Sequence, residues 1–117
     1  MLYTNLNHIE NAADFSKSLS ENENVVIIFG RMDTASVNVY RTAVGLKAKY
    51  RHVKFFDLEY DNPVSAFFHA IPEVAGQKVL PVTVCFKNGK VEKVTAGSLS
   101  ESEMAEILDD VFESATV

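Results

Sequence analysis

A single cysteine, Cys85, stands in the 117 residues, so this chain forms no internal disulfide and no cysteine-rich metal site. Basic clusters are equally scarce. The longest is Lys47-Ala48-Lys49-Tyr50-Arg51, at the end of a helical pattern where cations are favoured. With 11 basic against 16 acidic residues and a net charge of −5, neither nucleic acid nor an anionic membrane is an expected partner. No apolar run approaches the roughly 18 residues of a membrane-spanning helix. Met1 to Leu6 lack a basic n-region and a long apolar h-region, so no secretion signal is visible and a cytoplasmic location is expected. Five glycines and three prolines are too few for a disordered chain. Repeats, low-complexity segments, phosphate-binding glycine loops and Ser-His-Asp constellations are also lacking. His8, His52 and His69 fall on different elements without ligand spacing, and no metal or cofactor is expected.

What is present is an ordinary globular composition, 47% apolar and 23% charged. A single domain over residues 1–117 is expected, large enough to bury about two-thirds of its unfolded surface. Leu2 to Leu6 reads as a short edge strand. Asn7 with Glu10 reads as a capping box opening a helix of about 9–20. Val25 to Phe29 is a continuous apolar run, as for a central strand covered on both faces. Val39, Ala43, Leu46 and Tyr50 give a helix of about 34–50, with Gly45 marking a close packing point or a bend. Val53 to Leu58 is the next strand. Pro63 after Asp61-Asn62 opens a helix that Pro72 stops. Glu73 to Lys78 reads as a loop. Ser100 with Glu103 forms another capping box, ahead of an amphipathic helix through Phe112. The tail from Glu113 to Val117 is expected to fray.

The strongest local signal is Val79-Leu80-Pro81-Val82-Thr83-Val84-Cys85-Phe86-Lys87-Asn88-Gly89-Lys90. Asn88-Gly89 between two strand-forming runs marks a tight hairpin, because both residues tolerate positive φ. Pro81 stands at the first strand position and is a candidate cis peptide. A strand opening with proline and continuing into Phe-Lys-Asn-Gly resembles the thioredoxin superfamily. Asp61-Asn62-Pro63 and Gly97-Ser98-Leu99-Ser100 extend the resemblance to nearly the whole chain. It implies an α/β thioredoxin-like fold, β-α-β-α-β-α-β-β-α, with a mixed central sheet flanked by helices.

The resemblance also says where chemistry belongs. Thioredoxins carry Trp-Cys-Gly-Pro-Cys where the second helix begins. Counting back from Tyr50 places Asp33 and Ser36 on the cysteine positions; counting forward from Phe29 places Thr34 and Val37 there. Either register leaves no thiol. A helix N-terminus that would stabilise a thiolate also stabilises a capping oxygen, so Asp33 or Thr34 reads as an N-cap. The acid that the family buries on its second strand is replaced by Ile28, and the lysine beside it aligns with Asp57. Asp57, Glu59 and Asp61 read as a solvated rim. Cys85, mid-strand, reads as a buried structural residue.

What the resemblance leaves intact is a groove beside Pro81, where the residue before the proline offers its backbone to an extended peptide. Its expected residues are Met32, Asp33, Thr34, Ala35, Leu80, Pro81, Ala96 and Gly97. The loop Pro72 to Lys78 is a second contact surface near the same rim. The first functional expectation is a redox-inactive thioredoxin-like module that binds a protein or extended peptide as a scaffold or chaperone-like factor. The alternative is an enzyme related to thiol–disulfide oxidoreductases and cell redox homeostasis. It would use Cys85, or Ser36 or Thr34 as hydrogen-bond donor to a bound thiolate. A structural subunit recruited through an exposed apolar patch is a third reading.

Overall fold

The computed structural model describes residues 2–112. The expected tail from Glu113 to Val117 lies outside the described residues. A five-stranded sheet runs through the middle, in the order β1-β3-β2-β4-β5. Its strands are β1 Asn7–Ile9, β2 Asn24–Gly30, β3 Lys54–Glu59, β4 Val82–Lys87 and β5 Lys90–Ala96. The first three strands in space are parallel to one another, β4 runs antiparallel to β2, and β5 antiparallel to β4. The helices are α1 Ala12–Glu21, α2 Thr34–Lys47, α3 Ala66–His69, α4 Pro72–Ala75 and α5 Glu101–Val111.

The two-residue period of β2 sorts its side chains to two cores. Val26 and Ile28, with Phe55 and Cys85, face Val39, Ala43 and Leu46 of α2 and Met104 and Leu108 of α5. Val25, Ile27 and Phe29, with Val84 and Phe86, face Phe15 of α1, Phe68 of α3 and Val74 of α4. Burial on both faces explains why β2 is an unbroken apolar run. At the hairpin, Asn88 and Gly89 adopt φ of 52° and 79°, the left-handed conformation that a two-residue turn requires. Ser100 and Glu103 form the reciprocal capping box, with Ser100 Oγ accepting from the Glu103 N–H and the Glu103 carboxylate accepting from the Ser100 N–H.

The first element differs from its expectation. Leu2 and Leu6 are buried, but the strand is Asn7–Ile9, paired with Phe56 to Leu58 of β3. Helix α1 is capped four residues later than expected, by Asn11, whose side chain accepts from the Asp14 N–H at 2.8 Å. Asp14 in turn accepts from the Glu10 N–H at 3.1 Å. Asn7/Glu10 and Asn11/Asp14 share one spacing, and pairing with β3 decides between them.

Helix α2 also stops short of 50. The Leu46 carbonyl accepts from both Lys49 and Tyr50 N–H groups, which turns the chain and sends the Tyr50 hydroxyl to Asp109 of α5 at 2.8 Å. The third helix is broken. A 3-10 turn, Pro63–Ser65, is capped by Asn62 and leads into α3. Pro72 then starts α4 rather than ending a helix, so Pro72–Ala75 is a helical turn inside the expected loop.

Gly45 is not a close packing point among the described residues, because none of their atoms lies within 4 Å of where its Cβ would stand. Gly45→Ala therefore adds helix propensity without a clash and should stabilise by about 0.5–1 kcal/mol. Thermal unfolding followed by circular dichroism should show Tm rising by roughly 2–5 °C. An unchanged or lower Tm would mean that glycine at this point serves a bend.

Candidate functional site

At the C-terminal end of β2 the chain leaves the sheet through Gly30 to Asp33 and enters α2. Asp33 caps the helix, its Oδ1 accepting from the Ser36 N–H at 2.8 Å. The Ser36 hydroxyl and N–H together hold the Asp33 carboxyl below the usual carboxylate range. Ser36 itself is fully buried, and its Oγ accepts from the Arg31 N–H at 3.3 Å. Beside it the buried Tyr40 hydroxyl donates to the Arg31 carbonyl at 2.8 Å, and burial pushes that phenol up from its ordinary pKa. The turn thus presents Asp33 and Thr34 to solvent and encloses Ser36.

Across the turn, the Leu80–Pro81 peptide is cis. Gly30 separates the two walls. A Cβ there would stand 2.7 Å from the Tyr40 hydroxyl, 2.8 Å from Ser36 Oγ and 3.0 Å from Pro81 Cβ. The Pro81 carbonyl accepts from the Gly97 N–H at 2.9 Å, and Gly97, at φ 92°, faces Val79. Among the described residues no backbone hydrogen bond engages the N–H or C=O of Leu80. A cleft of about 410 Å³ opens here, lined by Arg31, Asp33, Tyr60, Lys78, Val79 and Leu80. Arg31 is held at its rim by a two-toothed ion pair to Asp61, at 2.7 and 2.9 Å, with its guanidinium 5.0 Å from the Tyr60 ring centre. This pairing holds the Asp61 carboxyl below its usual range.

Of the eight expected groove residues, Asp33 and Leu80 line this cleft. Pro81 is buried behind it, Thr34 and Ala96 are exposed, and Ala35 and Gly97 are half-buried. Met32, 44% exposed, lines a different recess on the far side of the turn. Arg31, Tyr60, Lys78 and Val79 were not among the expected residues. Lys78 alone had a signal, as the end of the loop read as a second contact surface.

No family model and no curated protein sequence matches the chain. Solved structures do. Mitochondrial thioredoxin 3 of Saccharomyces cerevisiae, in its oxidised form, superposes with a TM-score of 0.76 at 19% identity, over 91% of this chain and 95% of that one. Fasciola hepatica thioredoxin gives 0.74 at 21%, over 90% and 98%. A chain from the structural study of thiol resolution in the yeast mitochondrial 1-Cys peroxiredoxin gives 0.77 at 20%, over 95% and 100%. The chain has the thioredoxin fold. At these identities the likeness concerns architecture, and the chemistry rests on the residues present here.

Within this thioredoxin fold the inner motif position of one register, Ser36, is walled off, and that of the other, Val37, carries no polar group. Ser36 therefore offers no donor to a bound thiolate, whereas Thr34, the other expected donor, is exposed. Ile28 is fully buried in register with Asp57 of β3. Asp57 is not part of a solvated rim. It is 1% exposed, and both its oxygens are taken, Oδ2 by the Thr4 hydroxyl and Oδ1 by His8 Nδ1 at 2.6 Å. Burial pushes its carboxyl up, and these two partners pull it back. Asp61 points instead to Arg31, so the three acids do not gather. Among the described residues no group of three His, Cys, Asp or Glu is placed to hold a metal ion, and no helix is long and apolar enough to cross a membrane.

Proposed function

We propose that this chain is a redox-inactive thioredoxin-like module that binds an extended segment of a partner protein in the cleft beside Pro81. The observation that carries the reading is the unengaged backbone of Leu80 at the cleft edge, opposite a turn whose capping atoms are oxygens. An extended peptide pairs with such a backbone group by strand-like hydrogen bonds, and side-chain pockets then select among sequences. Val79, 59% exposed, and the aliphatic stem of Lys78 supply apolar contact, while Asp33 and Lys78 add charge on opposite sides. Holding without exchange suits a scaffold or assembly factor in the cytoplasm, because a partner docked there meets no nucleophile.

Selection of peptides from a displayed random library on the immobilised protein tests the reading. Selected peptides should bind the purified protein, lose about tenfold or more in affinity with Asp33→Lys, and protect the amide of Leu80 from hydrogen exchange. Absence of any selected sequence, or binding indifferent to Asp33→Lys, would remove the groove from the account. In parallel, the protein should not accelerate dithiol-driven reduction of insulin disulfides. Acceleration that vanished with Cys85→Ser would favour an oxidoreductase instead.

A further inference from the structure

A second recess, of about 630 Å³, lies away from the cis-proline between residues 2–5 and α2. Its size is that of small-molecule sites. The N-terminal segment forming one wall is pinned rather than loose. Leu2 and Leu6 are buried, the Thr4 hydroxyl is bound to Asp57, and the Asn5 carbonyl accepts from Lys47 Nζ at 3.0 Å. Leu2, Val37 and Val44 are apolar parts of its lining, and Arg41 and His8 are its ionisable ones. Among the described residues no Asp or Glu lines it, in a chain of net charge −5.

His8 is set up to act as an acceptor. Its Nδ1 lies 2.6 Å from Oδ1 of the buried Asp57, so that nitrogen carries the donated proton. In the neutral ring, a carboxylate at Nδ1 fixes the tautomer with the lone pair on Nε2. Among the described residues no protein group bonds Nε2. The Thr4 hydroxyl takes the other Asp57 oxygen, and the buried Asp57 orients the imidazole without lining the recess. Arg41 is exposed, and no ion pair between Arg41 and a described residue is present. Tyr40 and Met32 complete a lining of the apolar and polarisable kind that accepts a flat ring.

We propose that this recess binds a small aromatic molecule bearing a hydroxyl and a carboxylate. The hydroxyl donates to His8 Nε2, the carboxylate pairs with the Arg41 guanidinium, and the ring lies against Leu2, Val37 and Val44. The site is separate from the cleft beside Pro81 and does not depend on it.

The probe is 4-hydroxyphenylacetate, titrated into the full chain and followed by amide NMR. Phenylacetate lacks the hydroxyl, and tyramine replaces the carboxylate by an ammonium. Saturable shifts are expected at amides 2–8 and 37–44, with both analogues about tenfold or more weaker. His8→Phe and Arg41→Gln should each weaken the probe by a similar factor of about ten. The proposal is overturned by no saturable binding, by equal binding of all three compounds, or by shifts confined to Asp33, Leu80 and Gly97. Because Arg41 is exposed, its variant keeps the fold, and undiminished affinity in Arg41→Gln overturns the proposal even if His8→Phe fails to fold.

Discussion

Alkylation of Cys85 at neutral pH is expected to be roughly a thousandfold or more slower in the native protein than in denaturant. The thiol is 1% exposed, in the middle of β4 opposite Val26 and beneath α2 and α5. Burial pushes its pKa up to about 12. An ordinary thiol near 8.5 is several per cent thiolate at pH 7.4, whereas one near 12 holds on the order of one part in 10⁵. Limited access to reagent lowers the rate further. Iodoacetamide labelling followed by mass spectrometry measures this directly. The native rate should track global unfolding and rise with urea in step with the loss of structure. A native rate within tenfold of the denatured one would return Cys85 to the list of reactive groups, and with it the oxidoreductase reading.

Phe68→Ala should cost about 3–5 kcal/mol, a large share of the roughly 5–15 kcal/mol that holds a domain of this size. Phe68 is fully buried, and its ring centre lies 4.8 Å from that of Phe29, 5.6 Å from Phe15, 6.2 Å from Phe67 and 6.4 Å from Phe86. It therefore joins α1, β2, α3 and β4 at one point. It also anchors its own helix. Helix α3 has four residues and no side-chain cap, too short to form without tertiary contact. Urea unfolding should show the midpoint falling at constant slope, and hydrogen exchange should show residues 63–75 losing protection before the sheet. Phe68→Leu keeps part of the volume and should cost less than half as much. A loss under about 1 kcal/mol for Phe68→Ala would mean the neighbouring rings collapse into the space.

The features legible from residues alone are those that neighbours along the chain enforce. Asn88-Gly89 reads as a tight turn wherever it stands between strands. Ser100/Glu103 closes its own hydrogen bonds within one helical turn. Val25 to Phe29 has no polar side-chain atom to show to water, and Pro81 was placed at the head of β4 by its missing N–H. Such choices involve atoms a few residues apart, so sequence spacing carries them.

Where two local solutions competed, the chain alone did not decide. Asn7 and Asn11 offer the same cap, and it took β3, some fifty residues away, to draw Asn7 into a strand. Pro72 both ends and begins helices, and the packing of Val74 beneath the sheet selected the second role. Asp57 looked like one tooth of an acidic rim because alternation says which face a residue takes, not what covers that face. Only the folded N-terminal segment, bringing Thr4 and the β1 residue His8 to β3, buries that carboxylate with two partners. The cleft at Arg31, Tyr60 and Lys78 is likewise assembled from three separate loops. Charge and hydrogen bonding between distant segments depend on tertiary distance, and composition and periodicity do not contain that distance.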